Sequence, residues 1–191
     1  AVKSVYPIDS KYITFASSGS LGLFKLNSKG TSKWDFLFDS LNQKNQPDYI
    51  NIIKNARGKA TIYDEQNNSI LYATNNGLFA VNSSGTTKEI LLNNQPVNIN
   101  KFSIKNNVIY ATNIDFKLFK IINQEVKEIN LPKTVNKNII EKVFLKKDLF
   151  LFVTNRYIYE YSITNKTLKT ILKVNNEIEI NDIFIENNVY Y

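Results

Sequence analysis

The chain has 191 residues, 43% apolar and 21% charged, a balance that excludes disorder and allows one large domain or two small ones. It carries no His and no Cys, which removes the commonest general base, the commonest transition-metal ligand, the thiolate nucleophile and every disulfide. The net charge is +7, but only Arg57 and Arg156 are Arg, and the Lys are scattered, with Lys146-Lys147 the longest run. Asn occurs 28 times beside abundant Ile, Lys, Tyr and Phe, so a bias toward AT-rich codons explains the charge better than a nucleic-acid surface does. No apolar run approaches the ~18–20 residues of a membrane span, so no membrane insertion is expected in this segment. The sequence contains no Met and starts at Ala1, so its N-terminus is expected to come from processing or from the choice of expressed segment, with any targeting segment already removed.

Short β-branched and aromatic runs separated by Asn-, Ser- and Gly-rich turns predict strands throughout. The first unit reads Val2–Ile8, Lys11–Ala16, Leu21–Asn27 and Thr31–Phe38. An insertion at 39–58 follows, in which Asp48–Asn55 fits a short helix. The second unit reads Lys59–Asp64, Ile70–Thr74, Leu78–Asn82 and Thr86–Leu92, with turns at Asn67-Asn68, Asn75-Asn76-Gly77 and Ser83-Ser84-Gly85. The third reads Ile99–Lys105, Val108–Thr112, Phe116–Ile122 and Glu125–Asn130. The fourth reads Ile139–Lys146, Leu149–Thr154, Tyr157–Ile163 and Thr167–Val174. A fifth stops after its second strand. Two-residue hairpin turns recur at matching places, at Asn106-Asn107, Lys147-Asp148 and Asn187-Asn188.

The units are repeats. Leu23-Phe24-Lys25-Leu26-Asn27-Ser28-Lys29-Gly30-Thr31 aligns with Leu78-Phe79-Ala80-Val81-Asn82-Ser83-Ser84-Gly85-Thr86. Tyr72-Ala73-Thr74-Asn75, Tyr110-Ala111-Thr112-Asn113 and Phe152-Val153-Thr154-Asn155 are further copies of one element, with Phe15-Ala16-Ser17 a weaker one. The aromatic positions 72, 110, 152 and 191 are spaced by 38, 42 and 39 residues. Four-stranded units at about 40-residue spacing predict an all-β fold, a β-propeller of four-stranded antiparallel blades. The blades fall at about 1–38, 59–92, 98–130, 139–174 and, in part, 178–191 of a single domain spanning 1–191. A half blade leaves an unpaired edge, so the domain is expected to be incomplete, its ring closed by further blades or by self-association.

Leu151-Phe152-Val153-Thr154-Asn155 through Ile171 resembles the Tyr-Val-Thr-Asn propeller repeats of microbial surface-layer and extracellular proteins. Ile70-Leu71-Tyr72-Ala73-Thr74-Asn75-Asn76-Gly77-Leu78-Phe79 is similar to the propeller repeats in the sensor regions of hybrid two-component regulators, with Tyr72 where that pattern has Trp and Ala73 where it has Gly. The resemblance implies an extracytoplasmic protein, periplasmic, secreted or on the cell surface, that binds a ligand or partner. It carries over no catalytic residues.

Enzymatic readings find little support in this segment. The arginine triad and Asp-box of the sialidases are missing, a Ser hydrolase lacks its His base, and no phosphate-binding glycine loop or calcium loop is present. No cofactor and no metal site is expected. Asp64-Glu65 and Glu177-Ile178-Glu179 read as turn and edge positions rather than acid/base pairs. Thr74, Thr112 and Thr154 recur at one blade position and therefore serve the blade. The sequons at Asn67, Asn82 and Asn165 are expected by chance in so Asn-rich a chain.

Departures from the repeat are more informative. Loops joining the second strand to the third share a propeller face with those joining successive blades, and function concentrates on such loops. That face would carry Tyr49 and Arg57 from the insertion, with Asp115 and Arg156 from second-to-third-strand loops; Trp34 leads into the insertion. These five are the candidate ligand-binding residues. The expected function is non-enzymatic binding of a protein, glycan or small molecule. The alternatives are a sensor ectodomain of a two-component regulator and a propeller enzyme whose catalytic residues lie outside this segment.

Overall fold

A computed structural model describes residues 1–18, 21–26, 32–35, 56–82, 86–105, 107–115, 117–133, 135, 140–146, 149–162, 164–180, 183, 185–186 and 189–190. Residues 39–55, with Tyr49 and the short helix expected at 48–55, lie outside the described residues, as does the turn at 83–85.

The first sheet holds β1 (Val2–Pro7), β2 (Tyr12–Ser17), β3 (Leu21–Leu26) and β4 (Ser32–Asp35). The second holds β5 (Gly58–Asp64), β6 (Ser69–Thr74), β7 (Gly77–Asn82), β8 (Thr87–Leu92) and β9 (Gln95–Pro96). The third holds β10 (Lys101–Lys105), β11 (Val108–Thr112), β12 (Leu118–Ile122) and β13 (Glu125–Ile129). The fourth holds β14 (Ile140–Lys146), β15 (Leu149–Thr154), β16 (Tyr157–Ser162) and β17 (Thr167–Lys173). A hairpin of β18 (Ile185–Glu186) and β19 (Val189–Tyr190) follows. Every sheet is an antiparallel meander in sequence order. The innermost strands β1, β5, β10 and β14 stand side by side around an axis.

The apolar second strands show why the sheets stack. All six residues of β6 are buried. Side chains alternate across a strand, so Leu71 and Ala73 pack with Ile109, Ala111 and Phe119 of the third blade. Ile70 and Tyr72 face the other way, onto Ala16 and Leu21 of the first. Likewise Phe150 and Phe152 pack against Tyr110 and Leu118, while Leu151 and Val153 form a further cluster with Ile158 and Ile183. Each middle blade is covered on both faces, and the core is a series of inter-blade layers.

The turns explain the strand boundaries. Lys105 pairs with Val108, Lys146 with Leu149 and Glu186 with Val189, each closing a two-residue hairpin. Asn107 takes φ 58°, the left-handed conformation Asn tolerates. The third strand of blade three starts at Leu118 rather than Phe116. Asn113 Oδ1 accepts from the backbone N–H groups of Asp115 and Lys117, both at 3.0 Å, and holds the chain in a turn. Strand β9 lies beyond the four strands expected for this blade, and its Pro96 is tolerated because the strand is an edge. The turn before it, Asn93-Asn94 with φ 52° and 62°, has the geometry that folds a tight hairpin.

A polar tie joins blades one and two. The Tyr72 hydroxyl accepts from Thr14 Oγ1 at 2.9 Å and donates to the Gly22 carbonyl at 3.1 Å, and Thr14 Oγ1 also lies 3.0 Å from Thr61 Oγ1. Tyr72 is fully buried, and burial pushes its phenol well above the ordinary value of 10.0. Tyr72→Phe should cost about 1–3 kcal/mol by denaturant unfolding, since it strips partners from buried groups. The pH dependence has a definite sign. A raised folded-state pKa leaves stability fully present below pH 10.0 and lost as pH rises from there toward the folded value. Tyr72→Phe should therefore flatten the alkaline limb of the stability curve; an unchanged limb would exclude Tyr72 as its source.

Gly58, the first residue of β5, marks a close approach of the same two blades. A Cβ there would sit 2.5 Å from Leu21 Cδ2 and 2.9 Å from both Ala16 Cβ and the Ser17 carbonyl oxygen. Gly58→Ala should destabilise by about 1–3 kcal/mol through overpacking. Unfolding midpoints equal to wild type would mean that the interface yields more easily than this spacing allows.

Candidate functional site

A half-open cavity of about 450 Å³ lies against the innermost strands of the four blades. Strand β1 contributes Lys3, Ser4, Val5 and Tyr6; β5 contributes Lys59, Ala60, Thr61 and Ile62. Asn100 and strand β10, with Lys101, Phe102, Ser103 and Ile104, form the third wall, and Lys142 of β14 the fourth. One lysine from each blade lines it, and among the described residues no carboxylate does.

Lys3 and Lys59 are equivalent, each the extra residue where the register shifts between Val2 and Ser4 and between Gly58 and Ala60, whereas Lys101 pairs with Thr112 in unbroken register. Ser4, Ala60 and Phe102 pair with Ala16, Ala73 and Ala111, and Lys3, Lys59 and Lys101 immediately precede them. In blade four, Lys142 itself pairs with Val153, one position along. All four stand near the start of their strands, the end where second-to-third-strand loops and inter-blade links meet. Backbone bonds join such segments there: Asn75 N–H to Arg57 O at 3.0 Å, and Ile180 N–H to Asn155 O at 2.7 Å.

Burial lowers the pKa of Lys59, and the nearby Asp115 carboxylate partly opposes it. The Lys59 ammonium donates to Asn98 Oδ1 on the link between β9 and β10. Burial also lowers the pKa of Lys101, and the positive charge of Lys142 adds to the effect. The Asn100 Oδ1 in the same wall is buried without a hydrogen-bond partner.

The four described residues among the five singled out from sequence are dispersed. Asp115, outside the cavity lining, is near enough to Lys59 for its carboxylate to act on that ammonium. Arg57 is exposed just before β5, its backbone N–H donating to Asn75 Oδ1 at 2.5 Å. Arg156 Nη1 donates to Asn176 Oδ1 at 3.0 Å, fastening the β15–β16 loop to the link after β17. Trp34 is on β4, the outermost strand of blade one, and Tyr49 lies outside the described residues. Thr74 and Thr154 close their turns: each hydroxyl donates to the carbonyl three residues on, Gly77 O at 3.0 Å and Tyr157 O at 3.1 Å. Thr112 instead donates across to Ile140 O at 3.4 Å, joining blades three and four. The lysine cluster is what sequence reading missed, because the lysines look scattered until the repeats are aligned on their first strands.

Among the described residues no group of three or more His, Cys, Asp or Glu converges to hold a metal ion, and no helix is long and apolar enough to cross a membrane. No family model and no curated protein matches the sequence. Solved structures do match. The WD40 beta propeller domain of Doa1 superposes with a TM-score of 0.66 at 11% identity, over 98% of this chain and 59% of that one. The fold is a β-propeller. The extracellular domain of the hybrid two component system BT4673 from B. thetaiotaomicron gives a TM-score of 0.66 at 16% identity, over 97% of this chain and 25% of that one. Virginiamycin B lyase from Staphylococcus aureus gives 0.64 at 13%, over 98% and 60%. This propeller chain thus spans between 25% and 60% of the length of these three neighbours.

The charges at the axis make a direct prediction. Lys142→Gln should raise the pKa of Lys101, since it removes the like charge, and Asp115→Asn should lower that of Lys59 further. Titration of the lysine Nζ resonances by NMR reads both. Shifts in the opposite directions would mean that these pairs do not face one another.

Proposed function

We propose that this propeller works by binding rather than by catalysis, as part of an extracytoplasmic protein whose ligand is a protein, glycan or small molecule held at the axial mouth. The observation that carries this reading is the cavity of about 450 Å³ with a lysine from each of four blades at one end. Its size falls in the range of small-molecule sites, roughly 300–1,000 Å³, and its lining mixes apolar surface with a few polar groups, as such sites do. A chain without His, whose cavity lining holds lysines and hydroxyls but no carboxylate among the described residues, is poorly equipped for general acid–base work.

A sensor ectodomain is the second reading. It is favoured by the likeness to the extracellular domain of BT4673 and by the Ile70–Phe79 repeat element. Both readings place the chain outside the cytoplasm, and fractionation of source cells tests that directly: recovery with cytoplasmic markers would overturn the location.

The binding site is tested by ligand-observed NMR against a panel of small acids, peptides and oligosaccharides. Two double variants separate the axial cavity from the loop face. Binding lost in Lys59→Gln/Lys101→Gln and kept in Arg57→Ala/Arg156→Ala places the ligand at the axis. The reverse pattern moves it to the loops. Chemical change in a bound compound would overturn the non-enzymatic reading.

A further inference from the structure

We propose that Asn76 is a site of spontaneous chemical modification. The Gly77 nitrogen closes on the Asn76 side-chain amide, and the asparagine becomes aspartate or isoaspartate. The site is independent of the axial cavity and of what that cavity binds.

The chemistry starts from two neighbouring residues. Asn76-Gly77 is the one Asn-Gly pair in the chain. Attack by the nitrogen of the following residue on the Asn side-chain carbon closes a five-membered ring, and such intramolecular steps gain a large effective concentration. A side chain on that following residue crowds the ring, and glycine has none. Water is the other reactant. The Gly77 nitrogen gives up its proton and bonds to Asn76 Cγ, the Cγ–Nδ2 bond breaks, and ammonia leaves with the proton. Water then opens the succinimide. Breaking the new N–Cγ bond gives aspartate; breaking the original peptide bond leaves the chain running through Cγ, as isoaspartate.

The fold supplies the setting. Asn75 and Asn76 are both exposed at the turn between β6 and β7. Asn76 Oδ1 accepts from Asn75 Nδ2 at 2.9 Å. That bond polarises the carbonyl and places a donor on the oxygen that gains charge as the ring closes. Glycine is required at position 77, where φ is 142° and a Cβ would lie 3.2 Å from Glu89 Oε1. The residue the turn needs is thus the one that opens its neighbour to attack. Equivalent turns lack the pair: blade three reads Asn113-Ile114-Asp115 and blade four Asn155-Arg156-Tyr157. Asn113 is moreover buried, with its Oδ1 held by two backbone N–H groups.

Both products alter this turn. Each lowers the net charge of +7 by one. Isoaspartate also inserts a methylene into the main chain where Thr74 pairs with Gly77. Thr74 Oγ1 braces that pairing, accepting from the Asn76 N–H and donating to Gly77 O, both at 3.0 Å. Asn75 beside it is bonded twice to Arg57, donating its N–H to Arg57 O at 3.0 Å and accepting the Arg57 N–H on Oδ1 at 2.5 Å. The modification therefore acts on the loop face that holds Arg57.

Freshly purified protein, held in mildly alkaline buffer and sampled over weeks by peptide-mapping mass spectrometry, tests the proposal. Conversion at Asn76 should run at least about tenfold faster than at Asn68 or Asn155. The product should carry label from heavy-oxygen water and give isoaspartate that an isoaspartyl methyltransferase detects. Gly77 itself is buried, so a free Leu71–Ala80 peptide should convert faster than the folded chain. Asn76→Gln should stop the reaction, because its ring closes one member larger. Asn75→Asp keeps the acceptor for the Arg57 N–H and removes the donor to Asn76 Oδ1; it should slow conversion by about fivefold, the effect of one hydrogen bond. Amide hydrogen exchange on the isoaspartate form should show lost protection at Asn75. Asn76 left intact in the protein after the free peptide has fully converted would overturn the proposal, since the fold would then hold the Gly77 nitrogen away. Conversion at Asn68 or Asn155 at the rate of Asn76 would overturn it as well. An unchanged rate in Asn75→Asp would overturn the polarising role of Asn75 and leave the site at Asn76 standing.

Discussion

Burial of a strand on both faces is the constraint on which everything else in this protein depends. A β-strand has two sides, and in the middle blades the second strand exposes neither: β6 is buried along its whole length, and Phe150 through Thr154 of β15 are buried as well. Such a strand cannot be satisfied by its own sheet, so each blade requires a neighbour, and the neighbour requires another. Tyr72, Phe79, Phe119 and Phe152 are each buried almost completely in these layers. Each contributes on the order of 1.5–3 kcal/mol by leaving water. The energy of the fold lies between sheets more than within them.

Close stacking has a geometric condition, and the chain meets it differently at each interface. Between blades one and two, Gly58 and Ala16 let backbones approach, and the buried Thr14, Thr61 and Tyr72 hydroxyls satisfy one another. Between blades three and four the contact is aromatic. Tyr110 meets Phe150 edge-on with centroids 5.1 Å apart, and Phe150 stacks on Phe152 at 5.7 Å. Polar hydroxyls set a register because each has few acceptable partners, whereas aromatic surface tolerates small slides. The same repeat position, Tyr72 or Phe152, therefore plays two roles. The Tyr hydroxyl is retained where the facing blade offers Thr14 and Gly22 O, and Phe occupies the position in blade four, within an apolar cluster.

Most of the fold is legible in the sequence, because strands buried on both faces appear as unbroken apolar runs and their turns are written in Asn and Gly. Val108–Thr112 and Leu149–Thr154 have the same bounds in sequence and structure. The errors fall where a side chain redirects the backbone. Asn113 draws Asp115 and Lys117 into its turn and delays β12, and the tight turn at Asn93-Asn94 folds a two-residue edge strand back onto blade two. The candidate site is far less legible. Loop irregularity drew attention to Arg57 and Arg156, which the structure engages with local Asn partners through a backbone bond and a guanidinium bond. The lysines drew none, because residues at 3, 59, 101 and 142 become neighbours only when blades curve about a common axis. Proximity of that kind is a property of the ring, and no local window contains it.

That curvature also explains how the charges come to be there. Residues on second and third strands are committed to inter-blade packing, so a Lys at Leu71 or Phe79 would bury an ammonium in hydrocarbon at prohibitive cost. The innermost strand has one edge that faces no blade. Its burial is uneven: Ala60 and Ile62 of β5 pack into the layers, while Lys3 and Val5 of β1 and Lys101 and Ile104 of β10 stay exposed. A rigid stack of sheets then holds these side chains in place whether or not they attract one another. Lys101 and Lys142 can be kept close despite their mutual repulsion because the strands beneath them are anchored by Val143, Phe152 and the layers behind. The scaffold is thus able to maintain an arrangement of like charge that no isolated strand or loop would adopt, and the axis is where the fold leaves room for it.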